Sequence, residues 1–208
     1  MGINMKIIGI TGGVGAGKTQ VLSYIEEHYI CRVVRADEAA HLLYEKGQAC
    51  HTELVKLFGE QVLRADGELD RRKMAEMIFG DKLLLARVNA IIHPAVKSYI
   101  LEQIAYERER GSVGYFFIEA ALLIEEHYDQ IVDELWYIHS DESVRKKRLA
   151  KSRQYSVQKT SDIMKGQLRE DEYRSKCQRV ILNNGSLEDT YKQIDSILGA
   201  NASEWRKE

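Results

Sequence analysis

Lys18 sits near the end of an unusual run, GITGGVGAGKTQV (Gly9 to Val21), with the spacing Gly12-x-x-x-x-Gly17-Lys18-Thr19. Glycines at these positions let a tight loop take torsions that other residues avoid. They also let several backbone N–H groups converge on one anion. A helix starting at Gly17 or Lys18 adds its positive dipole end. Lys18 then reaches the β- and γ-phosphates of a nucleoside triphosphate, and the Thr19 hydroxyl is a ligand for Mg²⁺. This is a Walker A pattern in its proper setting, because KIIGIT before it reads as a strand and KTQVLSYIEEHY after it as a helix.

Phosphoryl transfer needs a carboxylate near the attacking hydroxyl and positive charge around the moving group. Asp37, in VVRADEAA, follows the second predicted strand, which puts it at the carboxyl edge of a parallel sheet beside the loop. The competing reading is that Asp37 only caps the helix DEAAHLLY. In RADGELDRRKMAEMIF, Asp66-Gly67 forms a turn and Asp70 an N-cap, and Arg71, Arg72 and Lys73 follow at once. Cations oppose the dipole at a helix start by roughly a few tenths of a kcal/mol each, and a bound anion reverses that penalty. A solvated basic turn is the alternative.

His93 precedes Pro94, the single proline. Pro94 suits the first turn of PAVKSYILEQIAYERER, so His93 either caps that helix or faces a cleft. Arg145, Arg148 and Arg153 are candidate cations for the phosphates, with ordinary solvated charges as the alternative; 145 and 148 share a helix face and 153 sits slightly off it. Glu119, at the end of the third predicted strand, either holds a Mg²⁺-bound water or forms a salt bridge. Asn183-Asn184-Gly185-Ser186 closes the fifth strand, where Ser186 with Asp189 resembles a helix cap and the loop can touch a nucleotide base.

The elements that must position these residues are five short apolar runs: Lys6–Ile10, Arg32–Ala36, Tyr115–Glu119, Leu135–His139 and Arg179–Asn183. Most are apolar nearly throughout, as strands covered on both faces of a parallel sheet are. Helical patterns separate them, which makes the class α/β. Between the second and third strands lie roughly 75 residues of helical pattern, punctuated by glycines at 47, 59, 67 and 80. A crossover needs only a dozen or two, so the segment is read as an inserted domain of four or so helices. The stretch from Ser140 to Lys176 carries a net charge of +5 in a chain whose net charge is -2. It is the candidate lid. The final ten residues, GANASEWRKE, read as a frayed tail.

The expected organisation over residues 1–208 is a nucleotide-binding core (about 1–37, 112–140 and 177–199), a helical substrate domain (about 38–111) and a lid (about 141–176). A charge of -2 argues against a dedicated nucleic-acid or polybasic membrane binder. Cys31, Cys50 and Cys177 are scattered and unpaired in pattern, against a disulfide framework or zinc site and for a reducing, cytoplasmic setting. No apolar run reaches the roughly 18 residues of a membrane span. The absence of an Asn-Lys-x-Asp or Thr-Lys-x-Asp element argues against a guanine-nucleotide switch, and the length against a motor. A small-molecule kinase fits best.

At this point the chain resembles the dephospho-coenzyme A kinase family, through GITGGVGAGKT, ADEAAHLLYEKG, LFGEQVLRADGELDRRKMAEMIF, VNAIIHP, ALLIEE, KRLAKSR and VILNNGS, in the family's order from about Lys6 to Leu198. The resemblance implies transfer of the ATP γ-phosphate to the ribose 3′-hydroxyl of dephospho-coenzyme A, with ATP and Mg²⁺ as the required small molecules. It implies a P-loop NTPase three-layer fold with a five-stranded parallel sheet, an inserted helical substrate-binding domain and a helical lid. It puts catalysis on Asp37, Lys18 and Arg148, and acceptor binding on Asp37, Arg71 and His93. ATP falls to Gly13, Val14, Gly15, Ala16, Gly17, Lys18, Thr19, Gln20, Arg148, Arg153 and Asn184, and the metal to Thr19. The chain departs from the commonest family pattern at Arg35, at Thr19-Gln20 and at Ala121. Two other readings stand beside this one: a kinase for a nucleoside or nucleotide, and an ATP-binding regulatory module without catalysis.

Overall fold

The computed structural model of the chain describes residues 5–153, 155–199 and 205–207. β1 (Lys6–Thr11) leads through the glycine-rich loop into α1 (Lys18–His28) and β2 (Cys31–Arg35). Four helices follow: α2 (Ala36–Leu43), α3 (Ala49–Phe58), α4 (Arg71–Ile78) and α5 (Lys82–Arg110). Then come β3 (Tyr115–Glu119) and β4 (Glu134–His139), three helices α6 (Glu142–Arg153), α7 (Val157–Lys165) and α8 (Glu170–Lys176), β5 (Arg179–Leu182) and α9 (Leu187–Gly199).

The strands form one five-stranded sheet in the order β2-β3-β1-β4-β5. β1 pairs in parallel with β3, from Lys6 opposite Tyr115 to Ile10 opposite Glu119, and on its other side with β4. The chain leaves β1 toward one edge and β3 toward the other. That opens a crevice beyond their carboxyl ends, where α/β sheets bind ligands. Ile8, Ile10, Phe117, Trp136 and Ile138 are fully buried in the core around the sheet, each side chain contributing roughly 1.5–3 kcal/mol of transfer free energy. The Trp136 indole satisfies its N–H on Glu134, at 3.0 Å.

The chain divides into two compact units, residues 1–33 with 107–208, and residues 34–106. α2, α3 and α4 belong to the second, and α5 runs across the division. Each of the four glycines that punctuate the inserted segment has a φ between 81° and 88°, where a side chain would be strained. Asp70 caps α4, its carboxylate accepting from the Lys73 N–H at 3.0 Å.

Two expectations are corrected. α5 does not start at Pro94 but at Lys82, so Pro94 lies inside a helix of 29 residues and His93 is not a cap. An interior proline costs roughly 3 kcal/mol. Val88, Val96, Ile100 and Ile104, each at most 5% exposed, give the helix a buried stripe that offsets the loss. The second correction concerns residues 205–207 of the tail; residues 200–204 and 208 lie outside the described residues. Trp205 accepts from the Ile30 N–H at 2.7 Å, the Lys207 N–H reaches the His28 carbonyl at 2.8 Å, and Tyr29 and Arg206 form an antiparallel bridge. Arg206 also pairs with Asp195 at 3.1 Å. The Trp205 indole packs over Gly114 and against the sheet's core. This anchor is aromatic burial and strand-like pairing, which a short polar-flanked segment does not advertise.

Candidate active site

The glycine-rich loop lies between β1 and α1, at the crevice. Gly15 and Gly17 have φ of 78° and 95°, torsions that other residues resist. α1 begins with Gly17 as its N-cap, with no side-chain cap and no acidic residue in its first turn. The first turn of α1 therefore brings no carboxylate of its own to oppose an incoming anion. Lys18 folds back across the loop. Its ammonium donates to the Gly12 carbonyl at 2.8 Å and lies 3.6 Å from Glu119, so Glu119 is a salt-bridge partner of Lys18 in this state. Thr19 and Gln20 are exposed on the first turn.

The loop is braced from beneath. The Ala16 carbonyl accepts from Ser140 Oγ at 3.1 Å, from Arg148 at 3.3 Å and from Asn183 Nδ2 at 2.8 Å. Arg148 donates further to Ser140 Oγ and to the Asn183 carbonyl, at 3.0 and 2.9 Å. Thr190 Oγ1 donates to Asn183 Oδ1 at 3.0 Å. Ser140, Asn183 and Thr190 are at most 3% exposed, and every bond in the group counts because unmatched polar atoms there would be costly. Arg148, expected at the phosphates, thus spends its guanidinium on the carbonyl just ahead of Gly17. Arg145 also reaches the loop, donating to the Val14 carbonyl at 2.8 Å. The side chain of Arg153 lies outside the described residues.

Asn184 exchanges two hydrogen bonds with Asp141, accepting from its N–H at 2.7 Å and donating to its carboxylate at 3.0 Å. That ties the turn after β5 to the turn after β4. Ser186 caps α9, accepting from the Asp189 N–H at 3.1 Å. Sequence reasoning missed Ser140 and Thr190 entirely. The one available signal was the position of Ser140 and Asn183, each directly after a strand.

In the helical unit, Asp37 is exposed and sits inside the first turn of α2, whose N-cap is Arg35. The capping role is therefore not its own. Arg71 opens α4 and lines a cleft of 270 Å³ with His41, Tyr44, Arg64 and Leu69. Burial, with the Cys50 thiol and the Asp37 carboxylate behind it and Arg71 opposing, pushes the Tyr44 phenol up to about 12. Tyr44 offers a neutral hydroxyl at neutral pH. His93 is half-buried in α5. The residues expected at the triphosphate fall in one unit, and Asp37, Arg71 and His93, expected at the acceptor, fall in the other.

The chain matches the family model described as dephospho-CoA kinase across residues 6–189. It belongs to that family. Curated dephospho-CoA kinases agree: one of Listeria monocytogenes (strain EGD-e) is 38% identical over 194 residues, 93% of this chain and 96% of its own. One of Shouchella clausii is 32% identical over 197 residues, 95% and 99% of the two chains. Among solved structures, TT1252 of Thermus thermophilus superposes with a TM-score of 0.79 at 28% identity, covering 96% and 99%. A shikimate kinase of Acinetobacter baumannii shares the fold alone, with a TM-score of 0.51 at 13% identity and 97% of both chains covered. The chain is thus a P-loop kinase of the dephospho-CoA kinase family, and the family supports ATP as phosphoryl donor.

Proposed function

We propose that the protein transfers the γ-phosphate of ATP to the ribose 3′-hydroxyl of dephospho-coenzyme A, giving coenzyme A and ADP in the cytoplasm. The observation that carries this reading is the braced loop with Lys18 folded over its mouth, in a chain of this family. Lys18 exchanges the Gly12 carbonyl and Glu119 for the β- and γ-phosphates. The loop from Gly13 to Thr19 cradles those phosphates with its inward-facing N–H groups, and Gln20 and Asn184 flank the nucleotide. Arg148 acts by holding Ala16, and Arg153 is assigned to the lid side of the phosphates. The bond from the acceptor oxygen to the γ-phosphorus forms as the bond to the β-bridging oxygen breaks, and the hydroxyl proton passes to Asp37. In a loose transition state the proton leaves late, so Asp37 works chiefly by orienting the hydroxyl. Arg71 and His93 bind the acceptor in residues 38–111, and residues 141–176 act as the lid.

Mg²⁺ fits the residues present. Thr19 Oγ1 and the Glu119 carboxylate are hard oxygen donors at the loop, suited to an ion that keeps most of its waters and shares the substrate's phosphates. When bound, the ion neutralises charge on the triphosphate. Among the described residues no helix is long and apolar enough to cross a membrane.

The test is ADP release with ATP and Mg²⁺, with dephospho-coenzyme A beside a panel of nucleosides and nucleotides. Turnover confined to dephospho-coenzyme A is expected. Turnover with another acceptor alone would overturn the substrate, and ATP binding without turnover would overturn the kinase. Asp37→Asn should lower turnover by roughly 10² to 10⁴-fold while ATP affinity holds.

A further inference from the structure

β1 ends at Thr11 and α1 begins at Lys18, so neither sheet nor helix bonds reach Val14 in the middle of the phosphate loop. Two side chains from the expected lid region hold it instead. Gln167, in the turn between α7 and α8, accepts with Oε1 from the Val14 N–H at 3.2 Å and from Arg145 Nη2 at 2.6 Å. Arg145 Nε donates to the Val14 carbonyl at 2.8 Å. The three bonds close a ring that fixes both polar groups of one loop residue. The Arg145 guanidinium lies flat against Gly13, where a Cβ would sit 2.7 Å from Nη1. Any side chain at 13 would break the ring.

We propose that Gln167 is a positioning residue for the phosphate loop, acting through Arg145 and the Val14 peptide, so that the turn joining α7 to α8 sets the loop for the nucleotide. The inference rests on the loop being the triphosphate site, as the proposed function has it. The bond to Arg145 is charge-assisted and short, and such bonds are about twice as strong as neutral ones. The bond to the Val14 N–H, with that of Arg145 to the Val14 carbonyl, fixes the peptides on both sides of Val14 and so aims the neighbouring loop N–H groups that cradle phosphate. Gln167 itself touches no reacting atom.

The test uses the full chain, titrated directly with ATP and Mg²⁺ without acceptor, so a mistaken acceptor leaves it intact and shows up only as missing turnover in the wild type. Gln167→Leu should weaken ATP by about tenfold, leave the KM of dephospho-coenzyme A within about twofold, and speed hydrogen exchange at the Val14 amide. Arg145→Met should do the same, and the double variant should be no weaker than the weaker single, because both act through one peptide. Unchanged or tighter ATP binding in Gln167→Leu overturns the proposal, as do losses that multiply in the double variant. If Gln167→Leu lowers the unfolding midpoint, Arg145→Met decides: weakening of ATP and acceptor alike, or an unmoved Val14 amide, overturns it.

Discussion

Gly17→Ala offers a two-part perturbation whose size follows from the brace under the loop. Gly17 holds φ at 95°, and an alanine there costs roughly 1–2 kcal/mol in backbone strain. Its Cβ would also overlap the amide nitrogen of Asn183, a residue only 1% exposed. That amide donates to the Ala16 carbonyl at 2.8 Å, and displacing it strands a buried donor and weakens a shared acceptor, at roughly 1–3 kcal/mol. Together the cost is about 2–5 kcal/mol. In an Asn183→Ala background the overlap vanishes and only the backbone part, about 1–2 kcal/mol, should remain. Urea unfolding of the four proteins gives the coupling directly, since the cycle subtracts what Asn183→Ala costs on its own. A coupling near 1–3 kcal/mol is expected. If Gly17→Ala costs the same in both backgrounds, the loop is not wedged on Asn183.

Arg71→Ala should raise the KM of the acceptor by roughly 10- to 100-fold, the worth of a charged hydrogen-bonded contact, and that of ATP by less than about twofold; equal effects on both would move Arg71 to the other site. Burial pushes the Cys177 thiol up to about 12, and burial, aided by Glu26, does the same for Cys31. Their folded values lie above the unfolded ones, so their stabilising share is complete below about pH 8.5 and is lost as pH rises toward 12. Urea midpoints should fall between pH 8 and pH 11, and a midpoint rising there would refute this. Trp205→Ala should destabilise the nucleotide-binding unit by about 2–4 kcal/mol, less than a fully buried Trp because the side chain is half-buried; an unchanged unfolding midpoint would mean the anchor carries no weight.

The central strands β1, β3 and β4 were legible because parallel strands buried on both faces are apolar without alternation, and β3 begins and ends where its run does. The inserted helices were legible through their glycines. Pro94 misled because a proline's local preference is weak against a long buried stripe on both sides of it. Arg148 was expected at the phosphates as a lid cation; its role as a brace depends on where β4 and β5 end, which places Ser140 and Asn183 beneath Ala16. Gln167 carries no pattern at all. A single neutral amide reveals itself only once the chain has brought it back to Val14.

The segment Trp205–Lys207 meets the region Glu26–Ile30, and Lys207 Nζ reaches the Glu26 carbonyl across 181 positions of chain. Contacts of that span form late, because the intervening chain must be ordered first. During synthesis α1 and the turn into β2 therefore emerge, and wait, without the indole that covers Gly114. Until the ribosome has delivered Trp205, that corner of the core stays uncovered.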